Sequence, residues 1–75
     1  MTEIRIPKPG DAIHEGTIGL WRVKEGQQVE PGDILYELET EKTTLEIEAS
    51  VSGQVHLIGV EGETYPIGEL IATIE

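Results

Sequence analysis

The sequence predicts an all-β fold, a flattened barrel or sandwich of about eight short strands with no helix of consequence. Three observations support this. The chain contains segments in which Val, Ile and Thr alternate with polar residues, and these segments are too short for helices. Nine glycines and four prolines punctuate them at short intervals. The third observation is a structural unit that occurs twice in the chain.

The strands are predicted between these turn signals. Alternation rich in Val, Ile and Thr dominates these runs, and most of them have Gly or Pro at one end or at both. In chain order they lie near residues 3–7, 17–24, 28–30, 33–40, 43–49, 53–58, 64–66 and 69–75.

The repeated unit reads strand, glycine turn, short strand, Pro/Gly turn, strand. Its two copies match at Gly16-Thr17-Ile18 with Gly53-Gln54-Val55, Val23 with Val60, Gly26 with Gly62, Val29 with Tyr65, Gly32 with Gly68, Ile34-Leu35 with Leu70-Ile71, Leu38 with Ile74 and Glu39 with Glu75. Neither half can bury its apolar face alone, so we expect the halves to pack face to face about a pseudo-twofold axis.

Residues 33–49 are predicted to form a hairpin with Glu41 and Lys42 as the two turn residues. The expected cross-strand partners are Thr40 with Thr43, Leu38 with Leu45, Tyr36 with Ile47 and Ile34 with Ala49. A slip of one residue would set apolar side chains against glutamates. Glu37, Glu39, Glu46 and Glu48 then share the solvated face. The turn lacks an Asn-Gly signal, so a type I turn or a wider loop is expected.

The repeat also predicts where Lys42 lies. Its turn follows Glu39, and the matching residue of the second unit is Glu75, so the chain termini occupy the equivalent position. Lys42 is therefore expected at one end of the molecule and the termini at the other, an arrangement that suits a carrier.

Length and composition exclude several classes of function. The 75 residues predict one domain, residues 1–75. Fifteen acidic and five basic residues give a net charge of −10, which disfavours nucleic acid and anionic membranes as partners. There is no cysteine and no run long enough for a membrane span or signal segment. Together these features favour a bacterial cytoplasmic or organelle-matrix location.

No residue pattern indicates intrinsic enzyme activity. The glycines at 26, 32, 62 and 68 do not fit a phosphate loop. His14 and His56 are far apart and have no cysteine companions, so no metal site is predicted and both are expected on the surface. Trp21 is expected in the core or at its edge. Lys8 and Lys24 are interpreted as ordinary surface charges.

The chain resembles the biotinyl/lipoyl attachment domains, specifically the lipoyl domain of the acyltransferase component of 2-oxo acid dehydrogenase complexes. The motifs that support the resemblance, in order, are Pro7-x-x-Gly10, Glu15-Gly16-Thr17-Ile18, Trp21, Val23-Lys24-Glu25-Gly26, Val29, Gly32-Asp33, Glu37-x-Glu39-Thr40-Glu41-Lys42, Gly53, Gly62, Gly68 and Ile71-Ala72. The resemblance implies two four-stranded sheets related by quasi-twofold symmetry, with lipoic acid amide-linked to Lys42.

The flanks of Lys42 bear on which group it carries. Lipoyl domains usually have Asp-Lys-Ala at this turn, whereas this chain has Glu41-Lys42-Thr43. Biotinyl domains usually have methionine on both sides, and the only Met here is Met1. The flanks favour lipoic acid. The alternatives are a biotin carrier domain of a carboxylase and an unmodified interaction module with the same fold.

The resemblance also implies partners. A lipoate-attaching enzyme would modify Lys42 and read its flanks, Glu41 and Thr43. The arm would then serve the thiamin-dependent dehydrogenase (E1), the acyltransferase core (E2) and the flavoprotein dihydrolipoamide dehydrogenase (E3). The residues expected to contact partners are Gly10, Asp11, Ala12, Ile13, His14, Glu39 and Thr40. Ile13 is expected either to cap the core or to protrude as a contact.

Two further expectations come from the resemblance. The Pro-x-x-Gly loop and the Glu-Gly-Thr-Ile run look closer to pyruvate- or acetoin-type components. The chain stops at its last strand without a linker, so it is expected to be the N-terminal domain of a larger acyltransferase or an excised part of one.

Overall fold

The computed structural model describes residues 1–8 and 13–75, and these residues form eight strands. The strands are β1 (Thr2–Arg5), β2 (Glu15–Trp21), β3 (Gln28–Val29), β4 (Ile34–Glu39), β5 (Thr44–Glu48), β6 (Gly53–Leu57), β7 (Thr64–Pro66) and β8 (Leu70–Ile74). The all-β prediction is confirmed, with β2 starting and ending earlier than the predicted 17–24. Within the described residues no helix is long and apolar enough to cross a membrane.

The strands form two four-stranded antiparallel sheets, ordered β1-β8-β6-β3 and β5-β4-β2-β7. Exchanging β2 with β6, β3 with β7, β4 with β8 and β5 with β1 converts the first order into the second. Each repeat also places its short middle strand in the sheet of the other repeat, because β3 pairs with β6 and β7 with β2. The predicted pseudo-twofold symmetry is therefore confirmed.

Within the described residues, twelve buried apolar side chains from both sheets and from the segments next to their strands form one core cluster. They are Ile6, Ile18, Val23, Val29, Leu35, Tyr36, Leu38, Ala49, Val55, Ile71, Ala72 and Ile74. Neither repeat supplies this cluster alone, which agrees with the expectation that the halves stabilise each other by burying a common apolar surface.

Four tight turns share one geometry and confirm the repeat. In each, the fourth residue donates its N–H to the carbonyl of the first, at 3.0–3.1 Å, over residues 24–27, 30–33, 60–63 and 66–69. The third residue is always glycine with φ between +80° and +95°. Positive φ at this position is the requirement of a type II turn, which explains why these glycines recur.

The predicted partner of Ile34 was wrong. Ile34 pairs with Glu48 rather than Ala49, because the register shifts between Ile34 and Tyr36. The extra residue, Leu35, forms a bulge that allows two successive residues, Leu35 and Tyr36, to be fully buried. A strictly alternating strand buries only every second residue, so alternation alone gave the wrong partner.

Candidate functional site at the lysine hairpin

The β4–β5 hairpin carries Lys42 at its tip. The last strand pair is Glu39 with Thr44, and beyond it the Thr40 N–H donates to the Thr43 carbonyl at 2.8 Å. Glu41 and Lys42 are therefore the two turn residues, as predicted. No non-glycine residue in the described ranges has positive φ. This excludes a type I′ turn, which needs positive φ at both central residues.

The Thr40 side chain organises the tip. Its Oγ1 donates to the Thr43 carbonyl at 3.0 Å and accepts the Thr43 N–H at 3.2 Å. The Lys42 N–H also points to this oxygen, at a longer 3.4 Å. A local hydroxyl thus supplies hydrogen bonds to a turn that is otherwise closed by one backbone bond.

Lys42 is exposed, and within residues 1–8 and 13–75 its ammonium group makes no ion pair or hydrogen bond. Its surroundings are acidic. Glu39, Glu41, Glu46 and Glu48 are exposed, while Glu37 is half-buried. The predicted solvated face is therefore largely confirmed. Arg22 neutralises part of it, with Nη1 at 2.9 Å from Glu37 and 3.5 Å from Glu46.

A groove of about 400 Å³ lies beside the tip. Its lining residues are Ile13, His14, Glu15, Gly16, Thr17, Glu39, Thr40 and Glu41. Four residues predicted to contact partners thus come together here, namely Ile13, His14, Glu39 and Thr40. The other three, Gly10, Asp11 and Ala12, lie outside the described residues. That partners bind here stays a prediction.

Sequence reasoning missed the other wall of the groove. Glu15, Gly16 and Thr17 reach it because β2 pairs with β4, which sets Thr17 opposite Glu39. Gly16 is needed there, because a Cβ at this position would clash with the Leu38 side chain. The only signal in the sequence was the repeat, which aligns Gly16 with Gly53 but does not state what packs against either.

Ile13 is half-buried and lines the groove, so it is neither a fully buried core residue nor fully exposed. Trp21 is half-buried at the core edge as predicted, with its ring centroid 5.2 Å from that of Tyr36 and Nε1 donating to the Gly59 carbonyl. Lys8 and Lys24 are exposed as predicted.

His14 is exposed as predicted, whereas His56 is half-buried between two acids. Its Nδ1 lies 2.8 Å from Glu25 and its Nε2 3.1 Å from Glu75. Hydrogen bonds to Glu25 and Glu75 raise the pKa of His56. The Leu57 N–H and His56 lower the pKa of Glu25. No group of three or more metal-ligating residues occurs in the described ranges.

This His56 cluster lies away from the tip. Strand β2 starts beside the tip, where Thr17 pairs with Glu39, and leads away from it. The chain that follows pairs, through β3, with the start of β6. There Gln54 and Glu75 exchange two backbone hydrogen bonds of 2.9 Å. The final residue thus lies at the pole opposite Lys42, as the repeat predicts.

Three comparisons with known proteins identify the family to which this chain belongs. Residues 2–74 match a family described as biotin-requiring enzyme. The succinyltransferase component of the 2-oxoglutarate dehydrogenase complex of Bacillus subtilis is 41% identical over 99% of this chain. The acetyltransferase component of the pyruvate dehydrogenase complex of Staphylococcus aureus is 40% identical over 97%. The chain spans 18% and 17% of the length of these two relatives.

A solved structure gives the same result for the fold. The solution structure of the lipoyl domain of the 2-oxoglutarate dehydrogenase complex from Azotobacter vinelandii has a TM-score of 0.84 and 28% identity, covering 100% of this chain and 96% of that one. The predicted sheets and family are confirmed. The chain therefore belongs to the biotinyl/lipoyl attachment domain family, and within it resembles the lipoyl domains of dihydrolipoyllysine acyltransferases.

Proposed function

We propose that this chain is a lipoyl carrier domain in which lipoic acid is amide-linked to Lys42. The observation that carries the proposal is the presentation of Lys42. It is the one lysine of the hairpin, it occupies a two-residue turn closed by a backbone hydrogen bond, and it is exposed without a partner in the described ranges. Membership of an attachment family turns such a lysine from an ordinary surface charge into the candidate attachment point.

Two observations support lipoic acid over biotin. Glu41 and Thr43 flank the lysine, and neither is the methionine usual in biotinyl domains. The names of the two acyltransferase relatives both contain dihydrolipoyllysine. The biotin carrier remains the second candidate because the matching family includes biotin-requiring enzymes.

When bound, the lipoyl group supplies the acyl-accepting and electron-carrying chemistry, and the chain supplies position. The paired strands β4 and β5 hold the attachment nitrogen at the tip of their hairpin, and the exposure of the tip would leave the arm free to reach other proteins. The opposite pole carries residue 75. In a longer acyltransferase this separation would let the arm swing without interference from the connecting chain.

The partners follow from this assignment. A lipoate-attaching enzyme would modify Lys42 while reading Glu41 and Thr43. The thiamin-dependent dehydrogenase (E1), the acyltransferase core (E2) and the flavoprotein (E3) would then use the arm in turn. The groove beside the tip, with Ile13 and His14 on one side, is the surface we assign to contact with these enzymes. A pyruvate- or acetoin-type substrate stays a prediction, because the relatives serve both pyruvate and 2-oxoglutarate complexes.

The test is co-expression with a lipoate ligase and, separately, with a biotin ligase, followed by intact mass measurement. We expect a lipoyl mass increment on the parent chain and on Lys24→Arg, and none on Lys42→Arg, which keeps the charge. A biotin increment at Lys42 would establish the second candidate. No increment with either ligase, on a chain shown to be folded, would support the unmodified interaction module instead.

A further inference from the structure

The lysine turn differs in construction from the other four-residue turns of the described chain. Turns 24–27, 30–33, 60–63 and 66–69 are each closed by the N–H of their fourth residue on the carbonyl of their first. Each has glycine at positive φ in third place. Turn 40–43 has Lys42 in third place, and its fourth residue donates to the Thr40 hydroxyl rather than to the Thr40 carbonyl.

The proposed function of Lys42 explains why this turn is closed by different hydrogen bonds. The third place must hold a residue with a long side chain, so the left-handed conformation that glycine adopts at little cost is disfavoured there. The side chain of Thr40 takes over, bonding both the N–H and the carbonyl of Thr43. Threonine hydroxyls form such local bonds in turns, where they compete with regular backbone pairing.

The Thr40 hydroxyl has no hydrogen-bonding capacity left for another protein. A hydroxyl has one donor hydrogen and two acceptor lone pairs. The hydrogen goes to the Thr43 carbonyl, and the lone pairs face the N–H groups of Thr43 and Lys42. All three positions are used within the tip itself. A direct polar contact from this hydroxyl to a partner would have to break one of these bonds.

We propose that Thr40 is a positioning residue for the modification of Lys42, and that its hydroxyl holds the tip in the conformation that the attaching enzyme accepts. This inference rests on the proposed function. It replaces the expectation that Thr40 contacts a partner with a role inside the chain. Recognition then depends on the shape of the tip, fixed one residue before Glu41, as well as on the flanking side chains.

The proposal predicts which kinetic constant changes. Without the hydroxyl, the free chain would populate the accepted tip conformation only part of the time, and the apparent affinity of the ligase would fall by that fraction. Once bound, the lysine would occupy the same place. We therefore expect Thr40→Val to raise KM for the unmodified chain about tenfold and to leave kcat nearly unchanged.

The experiment compares the unmodified parent chain with Thr40→Val, Thr40→Ser and Thr44→Val in a lipoate ligase assay over a range of chain concentrations. Serine keeps the hydroxyl and should restore most of the parental KM. Thr44→Val makes the same chemical change at an exposed position beyond the turn and should match the parent. Amide exchange of Lys42 and Thr43 is measured on the free chains by NMR, with Gln54 at the other pole as the internal reference.

Thr40→Val should accelerate exchange at Lys42 and Thr43 and leave Gln54 unaffected. A parental KM in Thr40→Val would overturn the proposal. So would a raised KM with unchanged exchange, because the hydroxyl would then act on the ligase directly. Faster exchange at all three amides would also overturn it, by showing general destabilisation. Absence of modification in the parent contradicts the proposed function, and the exchange measurement still tests whether Thr40 orders the tip.

Discussion

The β4–β5 hairpin and the β8–β1 pair are repeat-equivalent antiparallel strand pairs with the same pairing pattern. Leu38 pairs with Leu45 in the first, and the repeat-equivalent Ile74 pairs with Thr2 in the second. Both pairs share the same bulge, at Leu35 in β4 and at the equivalent Ile71 in β8. The difference lies beyond the last strand pair, where one copy continues into the lysine turn and the other ends at residues 1 and 75.

The proposed attachment point, Lys42, therefore lies where the two halves of the fold differ. The strands, bulges and glycine turns recur in both halves and serve stability. In the described residues, the position equivalent to the 40–43 turn lies beyond the Thr2–Ile74 pair, where residues 1 and 75 are found. The place of the 40–43 turn at one pole, opposite residues 1 and 75, is what the proposed carrier role uses. Matched substitutions at equivalent positions of the two halves should show which properties belong to the repeated strands and turns and which belong to the 40–43 turn.

The equivalent core residues Leu38 and Ile74, which are 0% and 2% exposed, should be the most sensitive to truncation. Truncating either to alanine should lower the free energy of unfolding by about 3 kcal/mol, because both leave cavities in one shared core. Urea denaturation of Leu38→Ala and Ile74→Ala measures this. If only one of the two variants lost stability, the two halves would not be stabilised by a common core.

A smaller and equal effect is expected at the equivalent turn glycines Gly26 and Gly62. Their φ values are +80° and +88°, and a Cβ at either would have no described residue within 4 Å. Alanine therefore adds backbone strain without a clash, about 1 kcal/mol at each position. Thermal unfolding of the two variants should give similar shifts. Costs that differ several-fold would contradict the equivalence of the two turns.

Tyr36 breaks the symmetry inside the core, since its repeat equivalent is Ala72. Its hydroxyl is buried and has no hydrogen-bond partner within residues 1–8 and 13–75, and burial raises the pKa of Tyr36 to about 12. Tyr36→Phe removes this unsatisfied group while keeping the ring against Trp21. We expect the free energy of unfolding to rise by up to about 1 kcal/mol. A clear loss of stability would show that the hydroxyl has a partner after all.

The smallest effect concerns pH and belongs to the pole opposite Lys42. The raised pKa of His56 means that its contribution to stability is present below the usual histidine value, about 6.5, and is lost as pH rises through the folded value. The pKa of Glu25 is lowered, so its contribution to stability is present above the usual glutamate pKa and is lost as pH falls through the folded value. Urea midpoints should therefore drop slightly from about pH 6 to about pH 8.5.

His56→Gln is the matched control for this effect, because glutamine can hydrogen bond but does not titrate in this range. Its midpoint should be nearly constant over the same interval, and Lys42 modification should be unaffected. An equal drop in both proteins would assign the pH dependence to another group.

Several features could be predicted because they depend on local sequence or on the repeat. Period-two alternation and glycine spacing gave the strands, and the repeat gave the symmetry of the sheets and the pole of Lys42. Other features depend on contacts between distant segments. The bulge at Leu35, the wall of the groove formed by β2 and the placement of His56 between Glu25 and Glu75 arise only when strands far apart in sequence meet.

Local sequence patterns were enough to specify the β class, the repeated unit, and Glu41 and Lys42 as the two residues of a hairpin turn. These follow from alternation and turn chemistry, which act over a few residues. The hydrogen bonds that hold the tip, in contrast, were seen only in the folded chain. The three hydrogen bonds of the Thr40 hydroxyl depend on the distances and angles between atoms across the turn. A displacement of a few tenths of an ångström can weaken or break such a bond. No sequence pattern specifies atomic positions that closely.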